Sequence, residues 1–166
     1  MIDCIKEEEV MTTSHPWKQS LAHQAKTLQE LMKPHRLSDA TLVKLEETVV
    51  LGCYTIRRLI NGFLLPESHR NRPIPMSAFP RRPLSVPLGD EPLTVRYVMD
   101  AGKPVQHDPL FLCHQVLQNC IFEPWLTADH QLKGIYVTSD HQRKIALYGI
   151  DLGTLHELFH HLSTNE

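Results

Sequence analysis

The chain has 166 residues, 42% of them hydrophobic and 22% charged, with a formal net charge of -2 when its histidines are neutral. That length suits one domain able to bury roughly 70% of its unfolded surface. The balance of charge carries no global basic excess of the nucleic-acid-binding kind, and no apolar run reaches the roughly 20 residues of a membrane span.

The eleven histidines make net charge climb as pH falls through about 6.5. Glu7, Glu8 and Glu9 stand where a secretory signal would carry a basic then apolar stretch. Cys4, Cys53, Cys113 and Cys120 form no C-x-x-C pair. On one helix Cys113 and Cys120 would lie two turns apart, too far to bridge. The expected setting is a reducing cytosol.

Residues 1–15 read as a loose tail, and 16–166 as one domain. Pro16 suits the first turn of a helix, and Trp17, Leu21, Ala25, Leu28 and Met32 follow at helical spacing. Pro34 ends that helix. Ser38 and Asp39 are cap-type residues before a second helix with the stripe Leu42, Leu45, Val49, Cys53, Ile56, Ile60 and Phe63. The short link between the two helices predicts an antiparallel hairpin.

From Pro66 to Pro92 the character changes, with seven of the twelve prolines alongside Arg70, Arg72, Arg81 and Arg82. Proline removes donors and fixes φ, so this stretch reads as an ordered loop without regular helix or central strand. Leu84, Val86 and Leu88 suggest a short edge strand. Leu93, Val95, Tyr97 and Met99 alternate with Thr94, Arg96 and Val98, which predicts a strand, and Ala101-Gly102-Lys103 a turn.

Asp108 and Pro109 mark a helix start, and the helix is expected to reach about Phe122 and to be buried. Leu132 to Thr138 and Arg143 to Ile150 read as a hairpin, and Leu152 to Leu162 as a last helix. The expected fold is α+β, a helical hairpin plus a central helix packed against a small antiparallel sheet with a C-terminal helix.

The string that names a reaction is His156-Glu157-Leu158-Phe159-His160. On a helix, H-E-x-x-H sets two imidazoles one turn apart with a carboxylate between them, the arrangement of zinc proteases. In a zinc hydrolase His156 and His160 would bind metal and Glu157 would serve as general base. Helical geometry opposes this. Leu152, Leu155, Leu158, Phe159 and Leu162 share one arc, the histidines sit on its shoulder, and Glu157 points away. Only six residues follow His160, so a third ligand would have to come from upstream, such as His114, His141 or Asp151.

Two further groups stand out. The arginine-rich loop, with Arg57 and Arg58 on helix two, has the chemistry of an anion or RNA-backbone site, though solvent exposure is the ordinary reading of such a charge run. His114 and Gln118, one turn apart on the central helix, could join Arg57 or Arg58 in a buried hydrogen-bond network or line a pocket.

The segments Glu46–Asn61, Cys113–Pro124 and Tyr136–Leu152 resemble a family of small bacterial proteins. Its members carry an F-x-x-R-K-L helix, an N-x-x-I-H-S-x-x-F helix and an S-S-D-x-x-R-x-x-x-L-Y-x-I hairpin in that order. The family is distantly similar to HEPN-type helical domains, some of which cleave RNA with an R-x(4–6)-H motif. Arg57 or Arg58, Asp140, Arg143 and Tyr148 match the pattern, and their implied role is to hold the hairpin and helices together. His114 and Gln118 stand where the family has asparagine and histidine, and no arginine precedes a histidine there, so the nuclease site is not carried over.

The resulting expectation is a non-catalytic, cytosolic bacterial binding or interaction module, with no cofactor and an unknown protein partner. The resemblance adds a setting in a defence or accessory locus. The alternatives are a zinc-dependent hydrolase and a degenerate HEPN-like RNA-binding protein, and homo-oligomers are compatible with either sequence reading.

Overall fold

A computed structural model describes residues 4–83 and 91–164, with side chains from residue 14 onward. The element order is α1 (Cys4–Leu31), α2 (Asp39–Asn61), α3 (Glu67–Arg70), β1 (Ile74–Pro80), α4 (Leu93–Arg96), β2 (Lys103–His107), α5 (Pro109–Leu117), β3 (Asn119–Leu126), β4 (Leu132–Ser139), β5 (Ala146–Asp151) and α6 (Leu152–Ser163). The fold is α+β, as the sequence predicts. No described helix is long and apolar enough to cross a membrane.

The predicted helical hairpin is α1 against α2. α1 begins at Cys4, upstream of the start that Pro16 suggests, and carries Pro16 inside it. α2 starts where its cap predicts, with the Ser38 side chain accepting from the Thr41 amide at 3.2 Å. Leu45, Val49, Cys53, Ile56 and Leu59 are its buried stripe. α5 likewise opens at its cap, Asp108 Oδ1 accepting from the Phe111 amide at 2.8 Å.

The sheet is antiparallel in the order β2-β1-β5-β4-β3. The proline-rich stretch supplies β1, an interior strand, contrary to the loop expected there. It tolerates its prolines because each lies where it has one strand neighbour. Pro75 pairs only with Gln106 of β2, and Pro80 only with Ala146 of β5. Ser77 and Ala78, between them, pair on both sides. The same segment yields the short helix α3, again contrary to expectation. Both edge strands also carry a proline, Pro104 in β2 and Pro124 in β3.

Two more expectations are corrected. Leu93 to Met99 is not a strand. Its first four residues form the turn α4, and Tyr97 then makes a single bridge to Arg81. The central helix stops at Leu117, and Asn119 to Phe122 belong to β3, so Cys113 and Cys120 lie on different elements. An apolar run read by periodicity alone does not separate helix from strand. The hairpin β4–β5 and α6 lie where predicted. The Leu84, Val86 and Leu88 strand falls outside the described residues.

Helices cover one face of the sheet. α6 packs on β4, β5, β1 and α1, while α5 packs on β4, β3 and α2. Ile135, Val137, Tyr148, Ile150, Leu155, Phe159, Leu112 and Val116 fill this main core. A smaller core of Phe79, Leu93, Tyr97, Ile121 and Leu147 lies apart from it. Alternation along β5 explains the two cores: Ala146, Tyr148 and Ile150 enter the first, Leu147 the second.

Candidate functional site

On α6 the apolar arc packs as its spacing predicts, with Leu152, Leu155, Leu158, Phe159 and Leu162 all buried. Around that arc His156 and Glu157 go to different neighbours. His156 Nδ1 lies 2.9 Å from the Ala25 carbonyl on α1. A carbonyl only accepts, so Nδ1 carries the proton of that bond. The His160 ring lies nearly parallel to the His156 ring, 6.1 Å away. Glu157 turns towards the start of β1, where its Oε1 is 3.4 Å from Arg72 Nη2, with its side chain 74% exposed. Pro73, Pro75 and Thr154 line the small cavity beside it. His161 packs edge-on to His69 at 4.5 Å. Among the described residues no three His, Cys, Asp or Glu side chains are grouped to hold a metal ion. His114, His141 and Asp151, the possible upstream ligands, are exposed.

His114 and Gln118 do not enter the core, contrary to the network expected there. Both are exposed. Gln118 caps α5 by donating its amide to the His114 carbonyl, and its own carbonyl accepts from the Asp140 amide. The buried polar residue of α5 is Gln115, 1% exposed, whose Oε1 accepts from the Ser139 amide at 2.9 Å. Gln115 thus ties α5 to the end of β4, and not to Arg57 or Arg58 of α2.

Arg57 and Arg58 instead lie on the outer side of the hairpin. The Arg57 guanidinium is 5.9 Å from the centre of the Tyr54 ring, and that of Arg58 is 5.5 Å from the Trp17 ring. The two rings are 6.1 Å apart, joining α1 to α2. Among the described residues neither arginine has a carboxylate partner. Around them Leu51 and Tyr54 stay 45% and 40% exposed, and Phe63, at the end of α2, stays 80% exposed. Arg70 lies 5.8 Å from the Phe63 ring.

The β4–β5 turn holds the residues that the family resemblance singled out. Arg143 Nε is 3.0 Å from Asp140 Oδ1 across the turn, and the Tyr148 hydroxyl donates to Gln142 Oε1 at 3.1 Å. Behind the turn Tyr97 is fully buried and donates to the Arg143 carbonyl at 2.8 Å. Burial pushes its phenol pKa up, against the Arg81 hydrogen bond and the positive charges of Arg81 and Arg96. Cys120 is raised by burial too, with the Arg143 charge opposing.

Sequence reasoning missed Arg96. Alternation placed it on the outward side of a strand, whereas the helical turn α4 buries it together with Leu93. The available signal was the i, i+3 spacing of Leu93 and Arg96 directly after Pro92, which suits a helix start.

No protein-family model, no curated protein and no solved structure was found to match this chain.

Proposed function

We propose that this protein is a non-catalytic, cytoplasmic interaction module of bacterial type, and that the outer face of the α1–α2 hairpin docks on an acidic segment of a partner protein. The observation that carries this reading is the pair Arg57 and Arg58. Each guanidinium lies on an aromatic ring and neither meets a carboxylate among the described residues. Arginine, tryptophan and tyrosine are the residue types that dominate binding energy at protein interfaces. An acidic side chain would add an ion pair to each stacked guanidinium, and Leu51, Tyr54 and Phe63 offer apolar area beside them.

The contacts of Glu157 with Arg72 and of His156 with the Ala25 carbonyl favour this reading over a zinc hydrolase. Fluorescence anisotropy with a labelled Asp/Glu-rich peptide containing one leucine anchor tests the proposal. Binding should be saturable, should weaken as salt rises from about 20 to about 200 mM, and should fall at least ~10-fold in the R57E/R58E variant. A single-stranded RNA of equal charge forms the second arm. RNA bound more tightly than peptide, or peptide binding indifferent to R57E/R58E, would overturn the protein-partner reading.

A further inference from the structure

The two helices of the hairpin are unequal at the end where Arg57 and Arg58 lie. Trp17 of α1 and Tyr54 of α2 face each other there, their rings 6.1 Å apart. At a rise of about 1.5 Å per residue, α1 runs back about 20 Å from Trp17 to Cys4, whereas α2 continues only about 10 Å from Tyr54 to Asn61. The opening of α1, about 10 Å of it, therefore extends beyond the end of α2. That opening carries Glu7, Glu8 and Glu9, the only run of three acidic residues in the sequence. Lys6 offsets one of these charges and leaves the opening acidic. Ile5, Val10 and Met11 add apolar residues on either side of the run.

The helical backbone sets the acidic run about 13 Å along α1 from Trp17, the residue on whose ring Arg58 lies. Within one chain the run and the arginines thus stand at different levels of the hairpin. Both are near the same end of it, and they are opposite in sign. Two copies packed antiparallel about a twofold axis near Thr12 and Thr13 would bring the run of each to the arginines of the other. That is the self-complementary arrangement of an isologous dimer.

We propose that the acidic segment received by Arg57 and Arg58 is the opening of α1 of a second copy, so that the protein forms a twofold dimer. The inference rests on the docking face proposed above and names its occupant. Charge complementarity carries it. Arg57 and Arg58 have no carboxylate partner among the described residues, and the chain supplies one acidic run at the matching level. Because the run is part of a helix, it loses less conformational freedom on docking than a flexible peptide does. Leu51, Tyr54 and Phe63, exposed on this side of the hairpin, give the contact its apolar area. Phe63 follows Asn61 and so stands beyond the end of α2, close to the level of the run.

Sedimentation velocity of the full chain between about 1 and about 200 μM, at about 20 mM ionic strength, tests the dimer. The wild type should pass from monomer to dimer over this range, with a dissociation constant at least ~10-fold weaker in E7K/E8K/E9K and in R57E/R58E. An equimolar mixture of the two variants should dimerise again, because each of its two contacts then joins opposite charges. Restored association also shows that both variants are folded. A wild type that stays monomeric, an E7K/E8K/E9K chain that dimerises as tightly as wild type, or a mixture that remains monomeric would each overturn the dimer. The Asp/Glu-rich peptide separates this outcome from failure of the docking face itself. Peptide bound by a monomeric wild type leaves the face standing with another protein as its partner, and peptide refused by monomeric E7K/E8K/E9K removes the face and the dimer together.

Discussion

Gly52 of α2 lies directly against the ring of Phe159 on α6, so close that a methyl group at position 52 would overlap the Phe159 Cε2 and Cζ positions. The glycine lets two helices approach that alanine would force apart. In an isolated helix, Gly to Ala gains about 1 kcal/mol. Here overpacking costs about 1–3 kcal/mol. Urea denaturation of Gly52→Ala should therefore show net destabilisation, and the double variant G52A/F159L should recover part of it. A Gly52→Ala protein more stable than wild type would show that α2 and α6 have room to separate.

Phe63 presents the opposite case. α2 closes with the Leu64 amide donating to the Leu59 carbonyl and the Phe63 amide to the Ile60 carbonyl, which places Phe63 at the left-handed position, φ 56. Glycine usually fills that position, and a side chain there costs about 1–2 kcal/mol. The ring is 80% exposed and recovers little of this by packing. Phe63→Gly should raise the urea midpoint while weakening binding of the acidic peptide. A strained, exposed aromatic residue is expected where function holds it. Tighter peptide binding by Phe63→Gly would remove Phe63 from the docking face.

His156 and Glu157 should separate in effect. His156→Ala removes the link from α6 to the Ala25 carbonyl and should destabilise by about 0.5–1.5 kcal/mol. Glu157→Ala removes a mostly exposed ion pair and should stay within about 0.5 kcal/mol of wild type. Thermal melts with and without added zinc complete the comparison. A zinc-dependent rise abolished by His156→Ala and by His160→Ala alike would support the metal reading.

His107 sets a pH dependence. Its ring stacks on Phe111 at 3.6 Å and meets Tyr148 edge-on. Burial lowers its pKa, and the neighbouring Asp108 opposes this only in part. The unfolded chain therefore takes up a proton first as pH falls. The stability that His107 contributes is complete above its unfolded pKa of about 6.5, declines as pH drops below it, and levels off once the folded form is protonated too. Melting temperatures between about pH 7.5 and about pH 5 should fall less steeply in His107→Phe than in wild type. An unchanged slope would assign the acid sensitivity to other histidines.

The helices were legible because their starts and stripes are local. Ser38 and Asp108 cap where their side chains predict, and the α6 arc is buried as its spacing requires. β1 was hidden because its prolines argue against an interior strand. They are tolerated through a stagger in pairing that only the assembled sheet reveals. β3 was hidden because Asn119 to Phe122 continue the apolar run of α5. At the sites, H-E-x-x-H was visible as a string and its geometry followed from helical periodicity. Arg96 was overlooked because alternation disguised its helical turn as a strand, although the Leu93/Arg96 spacing after Pro92 pointed to a helix start.

The prolines at the two margins of the sheet govern how copies of the chain behave at high concentration. Pro104 and Pro124 each remove one amide donor from an outermost strand. A newcomer strand laid along either margin would meet an interrupted ladder, which blunts the runaway fibre growth that exposed margins invite. Crowded solutions of this protein should resist seeding by amyloid-like nuclei, and replacing both prolines with threonine should remove that resistance.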